Sequence, residues 1–246
     1  MQRWRPRGSR RMSSRRSSDG RRRGEEGRRG YPLPPALAKL PSAPRRPARE
    51  FADQNQRNLI LRGALTVFGT KGIAEATVQD LIDAASVSRA TFYKHFDDKS
   101  ACFAALHDEL LDWLGEEARE EVEGVAGWSA RVAAACHRLV HLMVTDPRIA
   151  RLCTVEPLLA GAPVRARQDA AIAELAEVLR GGRAERSWGP GLPGSLEPLL
   201  IGGATFLVAK MATGEDQTDA DLLGDEITQL ILAPYLGAAG ARRAVR

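Results

Sequence analysis

Apolar residues recur at helical spacing along most of the chain, and this pattern predicts an all-α protein. Between residues 77 and 99 two short amphipathic segments follow each other closely, with Leu81 and Ile82 on one face of the first and Phe92 and Phe96 on one face of the second. Alternating runs of β-branched residues, which would indicate a sheet, are absent. We therefore expect about nine helices, three of them in an N-terminal module and six at residues 100–122, 128–144, 148–159, 163–179, 195–211 and 218–236.

Both short segments begin at residues whose side chains can cap a helix. Thr77 and Asp80 have the spacing of a capping box, and Ser88 stands at the start of the second segment. The second segment has the arrangement of a recognition helix in a helix-turn-helix, whose first residues must reach base edges in the major groove. The residues left on its outer face are Arg89, Ala90, Tyr93 and Lys94.

This segment, residues 77–99, resembles the DNA-binding domain of the TetR family of transcriptional regulators, and the resemblance extends from residue 57 to about residue 110. Its most specific part is the run TFYKHF at residues 91–96, followed by Lys99. One departure is Ser86, because similar proteins usually have Gly at this turn. A left-handed conformation is less favourable for Ser than for Gly, so we expect some strain in the turn but an intact fold.

The resemblance implies a set of DNA contacts at the matching positions. Gln79 stands where relatives reach DNA, and its amide can pair with adenine or touch a phosphate. Arg89 is the best candidate for base reading, because its guanidinium fits O6 and N7 of guanine, while Ala90 can touch a thymine methyl. For any single residue, a solvated polar face is the alternative interpretation. The implied phosphate contacts are Thr77, Thr91, Tyr93, Lys94, His95 and Lys99.

Composition and the resemblance divide the chain into three parts. We assign residues 1–50 to a disordered extension rich in Arg and Pro, residues 51–99 to the helix-turn-helix DNA-binding domain, and residues 100–240 to a helical domain. The resemblance implies that this last domain binds a ligand and forms a homodimer through its last two helices; packing within the monomer is the alternative. The residues expected at the dimer interface are Gly202, Gly203 and Ala204 for close approach, with Leu199, Phe206, Leu207, Leu223, Ile227 and Leu230 for apolar packing.

The pocket for a small-molecule effector has a weaker signal in the sequence. Aromatic residues and isolated polar groups commonly line apolar pockets, but Trp113 and Met143 are also typical of core packing. His137 and His141 share a helical face without a third metal ligand nearby, so we predict neither a metal nor a cofactor. An ordinary pair of hydrogen-bonded histidines is the alternative. The candidate ligand-binding residues are Trp113, Trp128, His137, His141 and Met143.

The net positive charge of the chain comes from the extension alone, because the rest of the chain has more acidic than basic residues. Residues 1–50 hold 16 Lys and Arg against 4 acidic residues, whereas the remaining 196 residues hold 20 against 27. Within residues 51–100 the count is 6 against 6, so DNA affinity there must depend on placement and not on net charge. An Arg-rich arm can lie along phosphates or enter a minor groove. A solubilising tail, or a start site at Met12, is the alternative.

Cysteine usage and the absence of catalytic motifs narrow the functional class. Cys102, Cys136 and Cys153 show no CxxC spacing, and the N-terminal segment lacks the apolar run of a signal peptide, which indicates a reducing cytoplasm. The sequence contains no glycine-rich phosphate loop after a strand, no HExxH and no nucleophile elbow. We therefore do not expect an enzyme.

Together these features predict a cytoplasmic, nucleoid-associated homodimer that represses transcription from a palindromic operator and is released by a small-molecule effector, with no membrane partner. Its two recognition helices would lie about 34–36 Å apart, one turn of DNA. Activation by the ligand stays open, because the sign of the response cannot be read from the residues. The alternative function is a chromosome-binding protein in which the basic arm dominates and no ligand exists.

Overall fold

The computed structural model describes residues 48–214 and 219–245, and within these ranges the protein consists of helices and turns without a strand. Nine α-helices occur in this described part, which confirms the predicted all-α fold. Three short 3-10 segments, Glu156–Leu158, Gly181–Glu185 and Gly189–Gly191, lie in the loops. The helices are α1 (Ala48–Glu75), α2 (Val78–Ala85), α3 (Arg89–His95), α4 (Lys99–Glu121), α5 (Trp128–Thr145), α6 (Pro147–Thr154), α7 (Ala162–Arg180), α8 (Leu196–Ala212) and α9 (Ala220–Ala244).

Two helix ends differ clearly from the prediction. The helix predicted at residues 148–159 ends at Thr154, and a 3-10 turn follows because Pro157 lacks the backbone N–H that would continue an α-helix. The last helix runs on to Ala244 instead of ending near residue 236, with a kink at Gly237.

Two predictions fall partly outside the described residues. The predicted extension lies outside them up to residue 47, while α1 already begins at Ala48, inside the segment assigned to the extension. The start predicted for the last helix at residue 218 also lies outside, and α9 begins at Ala220. Across the described ranges, no helix combines the length and the apolar composition that crossing a membrane requires.

Helices α1, α2 and α3 form one module, which we call the reader, and α4 to α9 form the body. Within the reader, α1 and α2 approach so closely that a Cβ built at Gly63 would lie 2.8 Å from the backbone nitrogen of Ala85. Only glycine fits such a crossing without displacing a helix. Phe92 of α3 is completely buried against this pair of helices, so residues of all three reader helices form a hydrophobic core.

That core does not stop at the end of the reader. A first cluster of buried side chains continues from α1–α3 into α4, α6 and α7, and the rings of Phe68 and Phe103 meet edge to face at 5.2 Å across the boundary. A second cluster fills the C-terminal half of the body, and Met143 packs against both. Because each buried Phe or Leu contributes about 1.5–3 kcal/mol, the shared cluster joins reader and body firmly.

The structure corrects the expected dimer residues in part. Leu223 and Ile227 of α9 are buried in the second cluster of the monomer, each only 2% exposed, so they are not available to a partner. Leu199, Phe206 and Leu230 are exposed as expected. The correction has a simple cause: apolar periodicity marks both faces of α9, and only the packing of α9 against α5 distinguishes the buried face.

Candidate nucleic-acid interface and effector region

The two short helices of the reader begin at the predicted caps. Thr77 Oγ1 accepts a hydrogen bond from the Asp80 backbone N–H at 3.1 Å, and an Asp80 carboxylate oxygen accepts one from the Thr77 N–H at 2.9 Å. Lys71 also donates to Asp80 at 2.6 Å, and these bonds from Lys71 and Thr77 lower the pKa of the carboxyl group to about 2. Ser88 Oγ accepts from the Thr91 N–H at 3.0 Å. The capping predictions are confirmed.

The turn between these helices contains the predicted left-handed residue. Ser86 has φ 53° and ψ 43°, and it is the one non-glycine residue with positive φ among those described. Its N–H donates to the carbonyl of Asp83 at 3.2 Å, and the N–H of Val87 donates to the carbonyl of Ile82 at 3.2 Å. These bonds hold the turn closed, so the strained serine leaves the helix-turn-helix intact.

The recognition helix α3 brings its predicted outer face together. Phe92 and Phe96 are buried, whereas Tyr93 is 49% exposed and Arg89 and Ala90 are exposed beside it. The Arg89 guanidinium lies 6.0 Å from the centre of the Tyr93 ring, within the range of a cation–π contact. The start of α3 therefore presents a cation and an aromatic ring to solvent side by side.

Three other predicted DNA contacts already have partners; Gln79 and Lys94 are exposed, and Thr91 is partly buried. The Gln79 amide donates to Asp83 Oδ1 at 2.8 Å, and Lys94 pairs with Asp53. The Thr91 hydroxyl shares a hydrogen bond of 2.8 Å with Ser88 Oγ. Exposed contacts of this kind contribute only about 0–1 kcal/mol each, so a phosphate can replace the partner at small cost.

The polar atoms of His95 and Lys99 are turned inward instead. The Lys99 ammonium donates to the carbonyls of Ile73 and Ala76, both at 2.8 Å, and to that of Ala74 at 3.2 Å. It thus satisfies carbonyl groups at the end of α1. His95 Nε2 is buried, and burial lowers the pKa of the ring. Their predicted phosphate contacts remain predictions, whereas their structural contacts are clear.

The five candidate ligand-binding residues lie at different places in the body. Trp113 is buried and donates to Glu117 Oε1 at 2.9 Å, and Trp128 donates to the Val178 carbonyl at 2.9 Å. His137 Nε2 lies 3.1 Å from Asp225 Oδ1 on α9. Met143 packs between the two clusters, and His141 is exposed. A groove of about 470 Å³ between α4 and α5, bordered by Arg119, Val122, Val125 and Arg131, is lined by none of the five.

Sequence reasoning missed a buried polar group in the first cluster. His107 is 1% exposed, and its Nε2 lies 2.9 Å from Oε1 of Gln168, whose amide in turn donates to the Cys153 carbonyl at 3.1 Å. Its Nδ1 is buried without a hydrogen-bond partner among the described residues, and burial lowers the pKa of the ring. The signal was present, because His107 follows Phe103 by four positions on the apolar face of α4.

Comparisons with known proteins agree with this geometry. Residues 60–106 match the family model of bacterial regulatory proteins of the tetR family. The HTH-type transcriptional repressor KstR2 of Mycolicibacterium smegmatis is 23% identical over 212 residues, which cover 83% of this chain and 99% of that protein.

Solved structures share the fold. The fatty acid degradation regulator FadR from Bacillus halodurans has a TM-score of 0.65 at 17% identity, covering 72% of this chain and 94% of that one. The transcriptional regulator FadR from Bacillus subtilis, solved in complex with stearoyl-CoA, has a TM-score of 0.59 at 17% identity, covering 73% of this chain and 97% of that one.

Proposed function

We propose that this chain is a DNA-binding transcriptional regulator of the TetR family. It acts as a homodimeric repressor that binds a palindromic operator and is released by a small molecule. The observation that carries the proposal is the outer face of α3, where Arg89 and Tyr93 are exposed while Phe92 anchors the helix from behind. A capped helix that presents a guanidinium at its first turn is suited to reading guanine in the major groove.

Arg89 is the proposed base reader, and the other residues of the set position the helix. Its guanidinium lies 6.0 Å from the centre of the Tyr93 ring and forms no ion pair with a described residue, so it can extend into the groove. Lys94 is exposed next to it and is proposed to contact phosphate after leaving Asp53. The proposed DNA-binding set remains Thr77, Gln79, Arg89, Ala90, Thr91, Tyr93, Lys94, His95 and Lys99.

An exposed apolar face on the last two helices supports the dimer. Leu199 is 72% and Phe206 64% exposed on α8, and no described atom lies within 4 Å of a Cβ built at Gly202 or Gly203 between them. Positions 199, 202, 203 and 206 share one helical face, so two copies of α8 can approach closely there. Leu222 and Leu230 add exposed apolar area on α9. An apolar face of this kind is typical of a subunit interface.

We place the effector in the helical domain, residues 100–240, with Trp113, Trp128, His137, His141 and Met143 as candidate contacts. Stearoyl-CoA is the first effector to test, because the Bacillus subtilis regulator of the same fold was solved with it. The effector must bind the state that does not fit DNA more tightly, typically by about 1–3 kcal/mol, which corresponds to about 5–150-fold in operator affinity. The proposed location of the dimer is the cytoplasm, on the nucleoid.

The first experiment is selection of bound sites from random duplex DNA, with the full chain and with a version that starts at Ala48, where α1 begins. A palindrome enriched by both proteins would support a dimeric operator-binding regulator. Enrichment that disappears without residues 1–47, or the absence of any palindrome, would favour non-specific binding through the basic arm.

Two substitutions then separate base reading from phosphate contact. We expect Arg89→Ala to relax the preference at one position of each half-site, by about 1–3 kcal/mol, measured by competition between operator variants. Lys94→Ala should weaken all sequences alike and reduce the salt dependence of binding. Equal losses on operator and random DNA for both variants would contradict the assignment.

A further inference from the structure

A buried carboxylate from the body holds the end of α1 in the reader. Glu156 is 1% exposed; its Oε2 accepts the backbone N–H of Ile73 at 2.8 Å, and its Oε1 accepts Nε of Arg151 at 2.8 Å. The same guanidinium donates from Nη1 to the carbonyl of Thr70 at 3.0 Å. We call Arg151 and Glu156 the clamp, because together they bind a donor and an acceptor of the α1 backbone.

The backbone of α1 is shaped to receive this clamp. Gly72 has φ 80°, a conformation that breaks the helix locally and that other residues adopt only with strain. A Cβ at this position would lie 2.7 Å from Nη2 of Arg151 and 2.8 Å from Oε1 of Glu156. Glycine is therefore required twice here, by the backbone angle and by the closeness of the clamp.

The segment held in this way lies directly before the DNA-facing helices. From the other side the Lys99 ammonium of α4 binds the carbonyls of Ile73 and Ala76. Thr77, the cap of α2, comes directly after this segment in the sequence. Helix α3 follows α2 after a short turn. A displacement of the clamp therefore moves the end of α1 and, with it, the start of α2.

The other end of the clamp lies deep in the body. On α6, which carries Arg151, Ile149 belongs to the first hydrophobic cluster and Ala150 to the second, and both are buried. The carbonyl of Cys153 accepts a hydrogen bond from Gln168 of α7, so α6 is tied to α7 within the helical domain to which the effector is assigned. The Glu156 carboxylate is buried, whereas the Arg151 side chain is 33% exposed. A buried carboxylate has few alternative partners, so its charge-assisted contacts transmit a movement of α6 to α1.

We propose that the clamp couples the two parts of the regulator: Glu156 and Arg151 are positioning residues through which the state of the body sets the placement of α2 and α3 on DNA. This inference rests on the proposed function, since coupling has a role only in a regulator whose body responds to a signal. By reciprocity, occupation of the reader by DNA must be felt in the body through the same contacts.

This reciprocity provides a test that needs no effector. The four tryptophans are Trp4, Trp113, Trp128 and Trp188, so in a Trp4→Phe background every tryptophan lies in the body and none in the reader. Thermal unfolding followed by tryptophan fluorescence then reports unfolding around Trp113, Trp128 and Trp188 in the body. Saturating operator DNA, bound only by the reader, should raise the Tm of the wild-type body in this background.

Glu156→Gln keeps the size of the side chain but removes one acceptor, because its amide NH₂ must face a donor. We expect it to bind operator DNA while the rise in the Tm of the body becomes at least about twofold smaller than in the wild type. The matched control is Glu197→Gln, which removes a buried carboxylate bound to Arg183 and Tyr235 within the body. The control should lower the Tm without DNA but retain the full rise with DNA.

A rise as large in Glu156→Gln as in the wild type, or no rise in the wild type, would overturn the inference. Should Glu156→Gln fail to fold by circular dichroism, Arg151→Lys takes its place, because an ammonium lacks the planar fork through which Nε and Nη1 of Arg151 reach Glu156 and the Thr70 carbonyl separately. If selection yields no operator, the proposed function fails separately, and random-sequence duplex at low salt serves as the ligand of the reader in the same comparison.

Discussion

The reader and the body differ in how their helices begin. In the reader, α2 and α3 start at Thr77 and Ser88, whose side chains bind the first free N–H groups of each helix. In the body, only α4, α6 and α9 have such a side-chain cap, from Asp98, Asp146 and Asp219. The other three body helices, α5, α7 and α8, start without one, at Gly127, Gly161 and Ser195. Capping residues lie within three positions of the groups they bind, so the shape of the reader is largely encoded locally.

The body relies on contacts between distant residues instead. Arg183 donates to both oxygens of the completely buried Glu197, at 2.8 and 2.9 Å, and the hydroxyl of Tyr235 donates to Oε1 at 3.0 Å. Hydrogen bonds from Arg183 lower the pKa of Glu197 to about 2, while burial raises the pKa of Tyr235. This network ties the loop before α8 to α9. Local sequence patterns do not predict such a contact between distant residues. Short-range chemistry therefore shapes the surface proposed to bind DNA, and long-range chemistry holds the helices that support it.

The largest effect is expected from removing the anchor behind the recognition helix. Phe92→Ala should lower the free energy of unfolding by about 3–5 kcal/mol, because the buried ring leaves a cavity in the cluster shared with the body. Urea unfolding measures the change. The neighbouring Tyr93→Ala is the control: its side chain is 49% exposed and its ring meets Phe92 edge to face at 5.5 Å, so the free energy of unfolding should fall by at most about 1.5 kcal/mol while DNA binding weakens. Equal stabilities for the two variants would show that α3 is not anchored as described.

A smaller effect is expected from Lys99, whose implied DNA role competes with its structural one. Lys99→Met leaves the carbonyls at the end of α1 without their donor and should lower the free energy of unfolding by about 1–3 kcal/mol. Lys94→Met, which removes an exposed pair, should lower it by at most about 1 kcal/mol. Chemical denaturation and operator titration are measured on both. Weaker DNA binding by Lys99→Met at unchanged stability would favour the phosphate contact over the structural contact.

The buried histidine of the body makes stability depend on pH. Burial lowers the pKa of His107 below the ordinary value of 6.5, so the unfolded chain takes up a proton first as the pH falls. This contribution to stability is present above about pH 6.5 and declines below it, by at most about 1.4 kcal/mol per pH unit.

His107→Gln should flatten this decline in unfolding experiments between pH 7 and pH 5.5, because glutamine carries no titrating proton in that range. Burial also lowers the pKa of His95 in the reader, and His95→Gln measures its share. A slope unaffected by His107→Gln would mean that its ring does not resist protonation.

The smallest effect is expected at the turn of the reader. Ser86→Gly should raise the free energy of unfolding by about 0.5–1 kcal/mol, because glycine adopts the left-handed conformation without strain. Ser88→Gly removes the cap of α3 two positions later and should lower stability by a few tenths of a kcal/mol. Urea midpoints at unchanged m-value distinguish the two signs. A loss of stability in Ser86→Gly would indicate that the serine side chain contributes a contact of its own.

The sequence by itself determined the all-α fold, the caps at Thr77 and Ser88, the left-handed turn at Ser86 and the outward face of α3. These features depend on neighbours within a few positions, so periodicity and capping chemistry suffice to predict them. The same reasoning placed Leu223 and Ile227 on the wrong face of α9, because apolar periodicity does not say which apolar face meets which neighbour.

Only the tertiary structure decided which polar groups are buried together. The carboxylate of Glu156 accepts the N–H of Ile73, 83 positions away in the sequence. The positive φ of Gly72 leaves room for this contact. Lys99, whose phosphate contact stays a prediction, binds the carbonyls at the end of α1 in the structure. A buried charge must find a partner wherever the fold supplies one, and a partner brought near by folding leaves no trace in local spacing.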